Sequence, residues 1–199
     1  MTEHYFTEEP SSEERVGLLK THLRGSEFEF LTSTGLFSYR RIDLGTRILI
    51  ENMIIPEEGT FLDLGCGYGP IGIVAARVNP DLEVYMTDIN TRAVEYARIN
   101  VEKNGVNAEV VQGDSYEGVN HVTFNAIASN PPVSAGMKDV VRPMVFGAKE
   151  HLIESGSLQM VMRYNKGGRT LESMMAKCFG SVDVLAKKGG YRVFISRGD

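Results

Sequence analysis

The chain is short of cysteine, of clustered histidine and of long apolar runs, and each shortage removes a class of function. Its only cysteines, Cys66 and Cys178, lie far apart and form no CxxC pair. A zinc site or a disulfide framework is therefore not expected, and a reducing cytoplasm fits such a chain. His4, His22, His121 and His151 show no ligand-like spacing, so no metal is expected. No apolar stretch reaches the roughly 18 residues that cross a bilayer, so no membrane is expected as a partner. The opening Met1 to Pro10 is acidic and polar, unlike a secretory signal peptide. Internal repeats and low-complexity tracts are also missing.

What is present suits one domain with a sizeable core: 199 residues, 42% hydrophobic and 24% charged. The net charge of −5 conceals an asymmetry. Residues 1–137 are net −10, whereas residues 138–199 are net +5. The basic C-terminal part has two readings, a local polyanion-binding surface or lysines and arginines on solvated helix faces.

Residues 1–55 read as an N-terminal extension. An apolar patch at Val16, Leu18, Leu19 and Leu23 suggests a short helix, and Phe28–Leu31 and Leu36–Tyr39 suggest a hairpin turning at Thr32–Gly35. Leu44, Ile48, Leu49 and Met53 fall at helical spacing between Asp43 and Ile55, before Pro56 and Gly59. From residue 60 to 197 strand and helix alternate. Strands are expected at 60–64, 83–87, 109–112, 124–129 and 157–162, and helices at 70–78, 91–104, 139–152 and 169–179. Asn90 is placed as a helix N-cap and Gly105 as a C-terminal stop. A closing hairpin spans 182–186 and 191–196. This pattern predicts an α/β, Rossmann-like fold: a mostly parallel seven-stranded sheet, helices on both faces, and one antiparallel strand from the hairpin.

The first chemical motif is Phe61-Leu62-Asp63-Leu64-Gly65-Cys66-Gly67-Tyr68-Gly69-Pro70-Ile71-Gly72, an apolar strand running through glycines into a helix. Glycines permit positive φ and let a ligand approach the backbone. Two cofactors compete for this loop. Gly67-x-Gly69-x-x-Gly72 followed by Asp88 matches a dinucleotide fingerprint, which would make a nicotinamide-dependent oxidoreductase. Asp63-x-Gly65-x-Gly67-x-Gly69 matches an S-adenosylmethionine site. An acid beside the glycines suits a cationic amino group and a sulfonium, and would be misplaced beside a pyrophosphate. Asp88 would accept from ribose hydroxyls under either reading. Asp114 is placed to accept from an adenine amino group, with Ile89 and Ser115 beside the two acids in the cofactor set. Each acid alone could be a cap or turn residue. Acids at three successive strand ends favour a ligand crevice. Cys66 reads as a small loop residue, since no base lies near it in sequence.

The second motif is Ser129-Asn130-Pro131-Pro132, at the end of the fourth strand. Two prolines end a central strand because they lack N–H donors. That is sufficient for a stiff terminator. The same turn would also hold an exocyclic amine: the Asn130 side-chain oxygen and the Pro131 carbonyl would take its two hydrogens. Its lone pair would then face a methyl group about 3 Å away, in a near-attack arrangement. Asn130 thus belongs to both cofactor and catalytic sets, with Pro131 and Pro132.

Together these motifs resemble class I methyltransferases that modify exocyclic amines or related amides. Thr34-Gly35-Leu36-Phe37-Ser38 and Ile42-Asp43-Leu44-Gly45-Thr46 are similar to a block of the RsmC-type small-subunit ribosomal RNA guanine-N2 methyltransferases. His4-Tyr5-Phe6 and Val133-Ser134-Ala135-Gly136-Met137-Lys138 resemble that family's compact relatives. The resemblance covers about residues 4 to 197. It implies S-adenosylmethionine as cofactor, RNA as partner and guanine N2 as acceptor. Adenine N6, a protein glutamine or a small-molecule amine are the alternatives. The chain departs from the family at two points. Val133 stands where many base-modifying relatives place an aromatic, so either Phe37 stacks on the base or the base is held differently, and there is no room for the extra N-terminal domain of two-domain members. Lys138, Arg142, Arg163, Lys166 and Arg169 are then candidates for phosphate contacts.

Overall fold

The computed structural model describes residues 15–132 and 136–198. Nine strands and five helices occur among them: β1 Val16–Leu23, β2 Ser26–Ser33, α1 Leu44–Asn52, β3 Thr60–Leu64, α2 Pro70–Val78, β4 Glu83–Asp88, α3 Thr91–Asn104, β5 Glu109–Gln112, β6 Phe124–Ser129, α4 Arg142–His151, β7 Leu152–Arg163, α5 Arg169–Phe179, β8 Asp183–Lys188 and β9 Tyr191–Arg197. Seven strands form one sheet in the order β5-β4-β3-β6-β7-β9-β8. Its pairings are parallel from β5 to β7, and β9 runs antiparallel to both neighbours. Two buried clusters cover the sheet, one carrying α1, α2 and α3 residues and the other α4 and α5 residues. This is the expected Rossmann-like architecture. The strand order reverses between β3 and β6, which places a crevice at their C-terminal ends.

The N-terminal part differs from expectation. Val16–Leu23 is a strand, not a helix, and it pairs with Ser26–Ser33 across Arg24-Gly25. Both turn residues adopt positive φ, 45° and 80°, as a tight hairpin requires. Arginine is an unusual choice there, and its side chain explains it. Arg24 Nε donates to the Ile50 carbonyl at 2.6 Å and Nη2 donates to the Met53 carbonyl, covering acceptors that the end of α1 leaves open. Leu36–Tyr39 forms turns rather than a second strand. The segment from 139 begins as a π-helical turn, Met137–Val141, before α4 starts at Arg142.

The hairpin docks on α3 through two asparagines. Asn100 exchanges hydrogen bonds with Leu31 N–H and C=O at 2.7 and 2.8 Å, and Asn104 does the same with Glu29 at 3.2 and 2.8 Å. Four helical residues rise about 6.0 Å and two strand residues about 6.8 Å, so amides at i and i+4 match alternate strand residues. The two asparagines thus act as a substitute strand edge for β2. The connection from Thr34 to Asp43 follows directly on β2 and leads into α1.

Candidate active site

A cleft of about 1100 Å3, solvent mouth included, opens at the C-terminal ends of β3, β4, β5 and β6. The glycine turn forms one wall. Gly65, Gly67 and Gly69 have φ of 73°, 57° and 94°, which explains why the loop needs glycine at these positions. Gly65 and Cys66 N–H both donate to the Thr87 carbonyl at 2.8 Å, so the loop is tied to the end of β4. Gly67 N–H donates to Asp88 Oδ2 at 2.8 Å, and Asn90 N–H to Asp88 Oδ1 at 2.9 Å. Asp88 therefore shapes the loop and still has lone pairs for a ligand. Burial raises its pKa, with the Asn90 and Gly67 N–H groups opposing the shift.

Asp63 is placed differently from expectation. It lies beneath the loop, fully buried, and outside the residues that line the cleft. Its Oδ2 accepts from Gly72 N–H at 2.8 Å, whereas Oδ1 has no hydrogen-bond partner among the described residues. Burial pushes its carboxyl up to about 7, the Gly72 N–H opposes this, and the nearby Asp88 charge adds to it. A cation near Oδ1 would satisfy both the orphaned acceptor and the charge. Gly72, the last glycine of the dinucleotide-like pattern, is a packing residue: a Cβ there would sit 2.6 Å from Met86 Cγ and 3.2 Å from Asp63 Cβ. The Cys66 thiol is buried and, through burial and the two carboxylates, held well above its usual pKa, which agrees with an unreactive loop residue.

The opposite wall contains Leu36, Phe37, Ser38, Asp43, Thr46, Asn130 and Pro132. Asn130 Nδ2 donates to Thr46 Oγ1 at 2.9 Å and to Asp43 Oδ2 at 3.3 Å. Flipping the amide would set Oδ1 against the Asp43 carboxylate, which only accepts, so the orientation is determined chemically. With its N–H groups engaged, Asn130 keeps Oδ1 as an acceptor, and the residue lines the cleft. Asp43 also N-caps α1, accepting from Gly45 N–H at 2.8 Å and Thr46 N–H at 3.3 Å. Ser129 Oγ donates to the Leu64 carbonyl at 2.7 Å and joins the ends of β6 and β3.

Of the residues singled out from sequence, Gly65, Cys66, Gly67, Asp88, Ile89, Asp114, Ser115, Asn130, Pro132 and Phe37 line this cleft. Asp63, Gly69 and Pro131 are not among its lining residues. Lys138 and Arg163 are exposed and outside it, with Arg163 stacked 5.2 Å over the Tyr191 ring. His4-Tyr5-Phe6 and Val133 lie outside the described residues. Sequence reasoning missed Asp43 and Thr46 as the partners that orient Asn130. Their only signal was membership of the block resembling a known family.

The profile of the methyltransferase small domain family matches residues 27–195. A Bacillus subtilis protein, YbxB, described as uncharacterized, is 39% identical over 97% of both chains. Ribosomal RNA small subunit methyltransferase C of Shewanella amazonensis is 30% identical over 94% of this chain and 54% of its own length. The chain thus spans about half the length of such relatives. The solved structure of the Thermus thermophilus 16S rRNA N2 G1207 methyltransferase with AdoMet and guanosine superposes with a TM-score of 0.81, at 25% identity, covering 92% of this chain and 51% of that one.

Proposed function

The chain belongs to the methyltransferase small domain family and is an RsmC-type, S-adenosylmethionine-dependent methyltransferase; from that premise we propose that it methylates the guanine N2 amine of ribosomal RNA. Family membership removes the nicotinamide-dependent reading. The observation that carries the proposal is the orientation of Asn130: Asp43 and Thr46 take its amide N–H groups, which leaves its Oδ1 acceptor for a ligand of the glycine-walled cleft that the residue lines.

The residues present fit the cofactor. The orphaned Asp63 Oδ1 suits an amino group, Asp88 suits ribose hydroxyls, and Asp114 suits an adenine amine, with Ile89 and Ser115 alongside. A Cβ at Gly67 would meet no protein atom within 4 Å, so the loop leaves its cleft side open to a ligand. When bound, S-adenosylmethionine supplies a methyl group on a positively charged sulfur. The protein's part is positional. Asn130 Oδ1 accepts one hydrogen of the target amine, and the Pro131 carbonyl is assigned the other. The nitrogen lone pair is thereby held towards the methyl group, and the Pro131-Pro132 pair keeps both acceptors from moving. No strong base is needed, because the proton leaves after the new bond has formed. Orientation of this kind is a large catalytic term, and misplacement by about 1 Å costs on the order of 100-fold.

Phe37 is assigned the stack on the target base in place of the aromatic that the chain lacks at Val133. Lys138 and Arg163, with Arg142, Lys166 and Arg169, are assigned to phosphates of the bound RNA. The test is to incubate the enzyme with methyl-labelled cofactor and small ribosomal subunits, naked RNA or total protein. Label in the RNA or the subunit RNA is expected. Label only in protein or metabolites would replace this reading with another amine or amide acceptor.

A further inference from the structure

The Thr34–Asp43 connection has a second face. Behind it lies a groove lined by Leu19, Lys20, Thr21, Arg40, Arg41, Ile42 and Arg47. Four of these side chains are cationic and none is acidic, although residues 1–137 as a whole are net negative. The regional charge therefore hides a local site of the opposite sign.

Two of the four cations already have structural duties. Arg47 donates Nη1 to the His22 carbonyl at 3.0 Å and Nη2 to Thr21 Oγ1 at 2.6 Å, tying α1 to the hairpin. Lys20 pairs with Glu29 at 2.5 Å. Arg40 and Arg41 are different: both are exposed and neither has an ion pair among the described residues. Arg40 spends one N–H on the Tyr39 hydroxyl at 2.8 Å, which stations its guanidinium 5.2 Å over that ring. Their support is firm. Leu36 and Ile42 are buried on either side, and Thr32 Oγ1 donates to the Tyr39 carbonyl at 2.5 Å.

Phe37, Ser38 and Asp43 of the same connection line the cleft instead. Arg40 is three positions from Phe37, at most about 11 Å of chain, or roughly three nucleotides of helical rise. A ring placed to stack on a base and, three positions on, two arginines without an ion pair among the described residues form a combination suited to a strand with its base in the cleft and its phosphates outside.

We propose that Arg40 and Arg41 form a phosphate-binding edge for the RNA strand flanking the target base, on the hairpin side of the cleft. This rests on the RNA reading above. It adds a second rail to the basic C-terminal surface, so that the strand is gripped on both sides of the base. β1 also exposes Val16 and Leu18, which would suit a protein contact, but neither lines the groove.

The experiment measures methyl transfer to a naked small-subunit ribosomal RNA transcript and to assembled small subunits across a salt series. It compares wild type with R40A/R41A and R40K/R41K, and checks melting temperature and S-adenosylmethionine affinity in parallel. In R40A/R41A, KM for RNA should rise about tenfold and the salt slope should fall by about 1.4, or 0.7 per lost single-strand phosphate contact. The lysine pair should recover most of the slope, and cofactor affinity and melting temperature should stay unchanged. An unchanged KM and slope in R40A/R41A, with wild type active on RNA, would overturn the edge alone. A defect confined to assembled subunits would overturn it in favour of a protein contact. Wild type that labels no RNA would remove the RNA reading and the edge together.

Discussion

The two walls of the cleft are built by opposite means. The wall assigned to the cofactor is mostly backbone: Gly65 to Gly69 bends between two adjacent parallel strands, and main-chain donors meet Thr87 and Asp88. The wall assigned to the acceptor is mostly side chain. Asn130 is oriented by Thr46 and Asp43, which are 84 and 87 residues away in sequence. Those two sit at the start of α1, whose far end is secured by Arg24 of the hairpin turn. The hairpin in turn is held by Asn100 and Asn104 of α3. One wall is thus local and self-supporting, whereas the other depends on a relay through the N-terminal extension. On the proposed assignment, cofactor binding and acceptor positioning are expected to break separately.

The largest separation should come from Asn130→Ala. Turnover should drop on the order of 100-fold, while S-adenosylmethionine affinity by calorimetry stays within about threefold. A parallel loss of affinity in a folded protein would merge the two walls.

Asp63→Asn attacks the cofactor wall from beneath. A hydrogen bond to a charged group is worth about 1.5–3 kcal/mol, so cofactor affinity should fall roughly 10- to 100-fold. The pH dependence gives an independent check. With its carboxyl pushed up to about 7, wild-type Asp63 holds a proton at pH 6 and loses it by pH 8. Cofactor affinity should therefore rise across that window, and the rise should flatten in the variant. For the ligand-free protein the sign is the reverse. The folded state holds this proton more tightly than the unfolded chain, so the contribution to stability is complete below the ordinary carboxylate range and is lost as pH climbs through about 7. Melting curves should show wild type losing more stability between pH 5 and pH 8 than Asp63→Asn.

Phe37→Ala tests the acceptor wall at its mouth. Stacking on a base is worth about 1–3 kcal/mol, so KM for RNA should rise about tenfold with cofactor affinity unchanged. The smallest effects are expected from the relay. Asp43→Ala removes an N-cap worth about 1 kcal/mol, which lowers the melting temperature by roughly 2–4 °C in a chain of this size. It should also reduce turnover several-fold through Asn130. Thr46→Val should reduce turnover with little change in melting temperature, a difference that a thermal melt beside a rate assay would reveal.

The same contrast explains what the sequence disclosed. The cofactor wall is contiguous from Thr60 to Val78 and from Glu83 to Asn104, so strand, glycine turn, proline-started helix and Asn90 cap were all legible from spacing alone. The relay was not. Arg24-Gly25 is an uncommon hairpin turn, tolerated because the arginine side chain covers the end of α1, a tertiary reason that no window of sequence contains. Asp43 and Thr46 stood out only as part of a family-like block, because their partner lies in another strand's terminal turn. Asp63 was recognised as important, but its position beneath the loop is set by contact with Gly72, nine residues further on. Gly45 is similar: a Cβ there would sit 2.7 Å from the Tyr191 ring.

The most direct test of the whole account is the identity of the product. Small-subunit ribosomal RNA methylated with labelled cofactor would be digested to nucleosides and separated by chromatography with mass detection. Label in N2-methylguanosine is expected, with loss of that label in Asn130→Ala. Label in N6-methyladenosine, on a ring carbon or on ribose would contradict it.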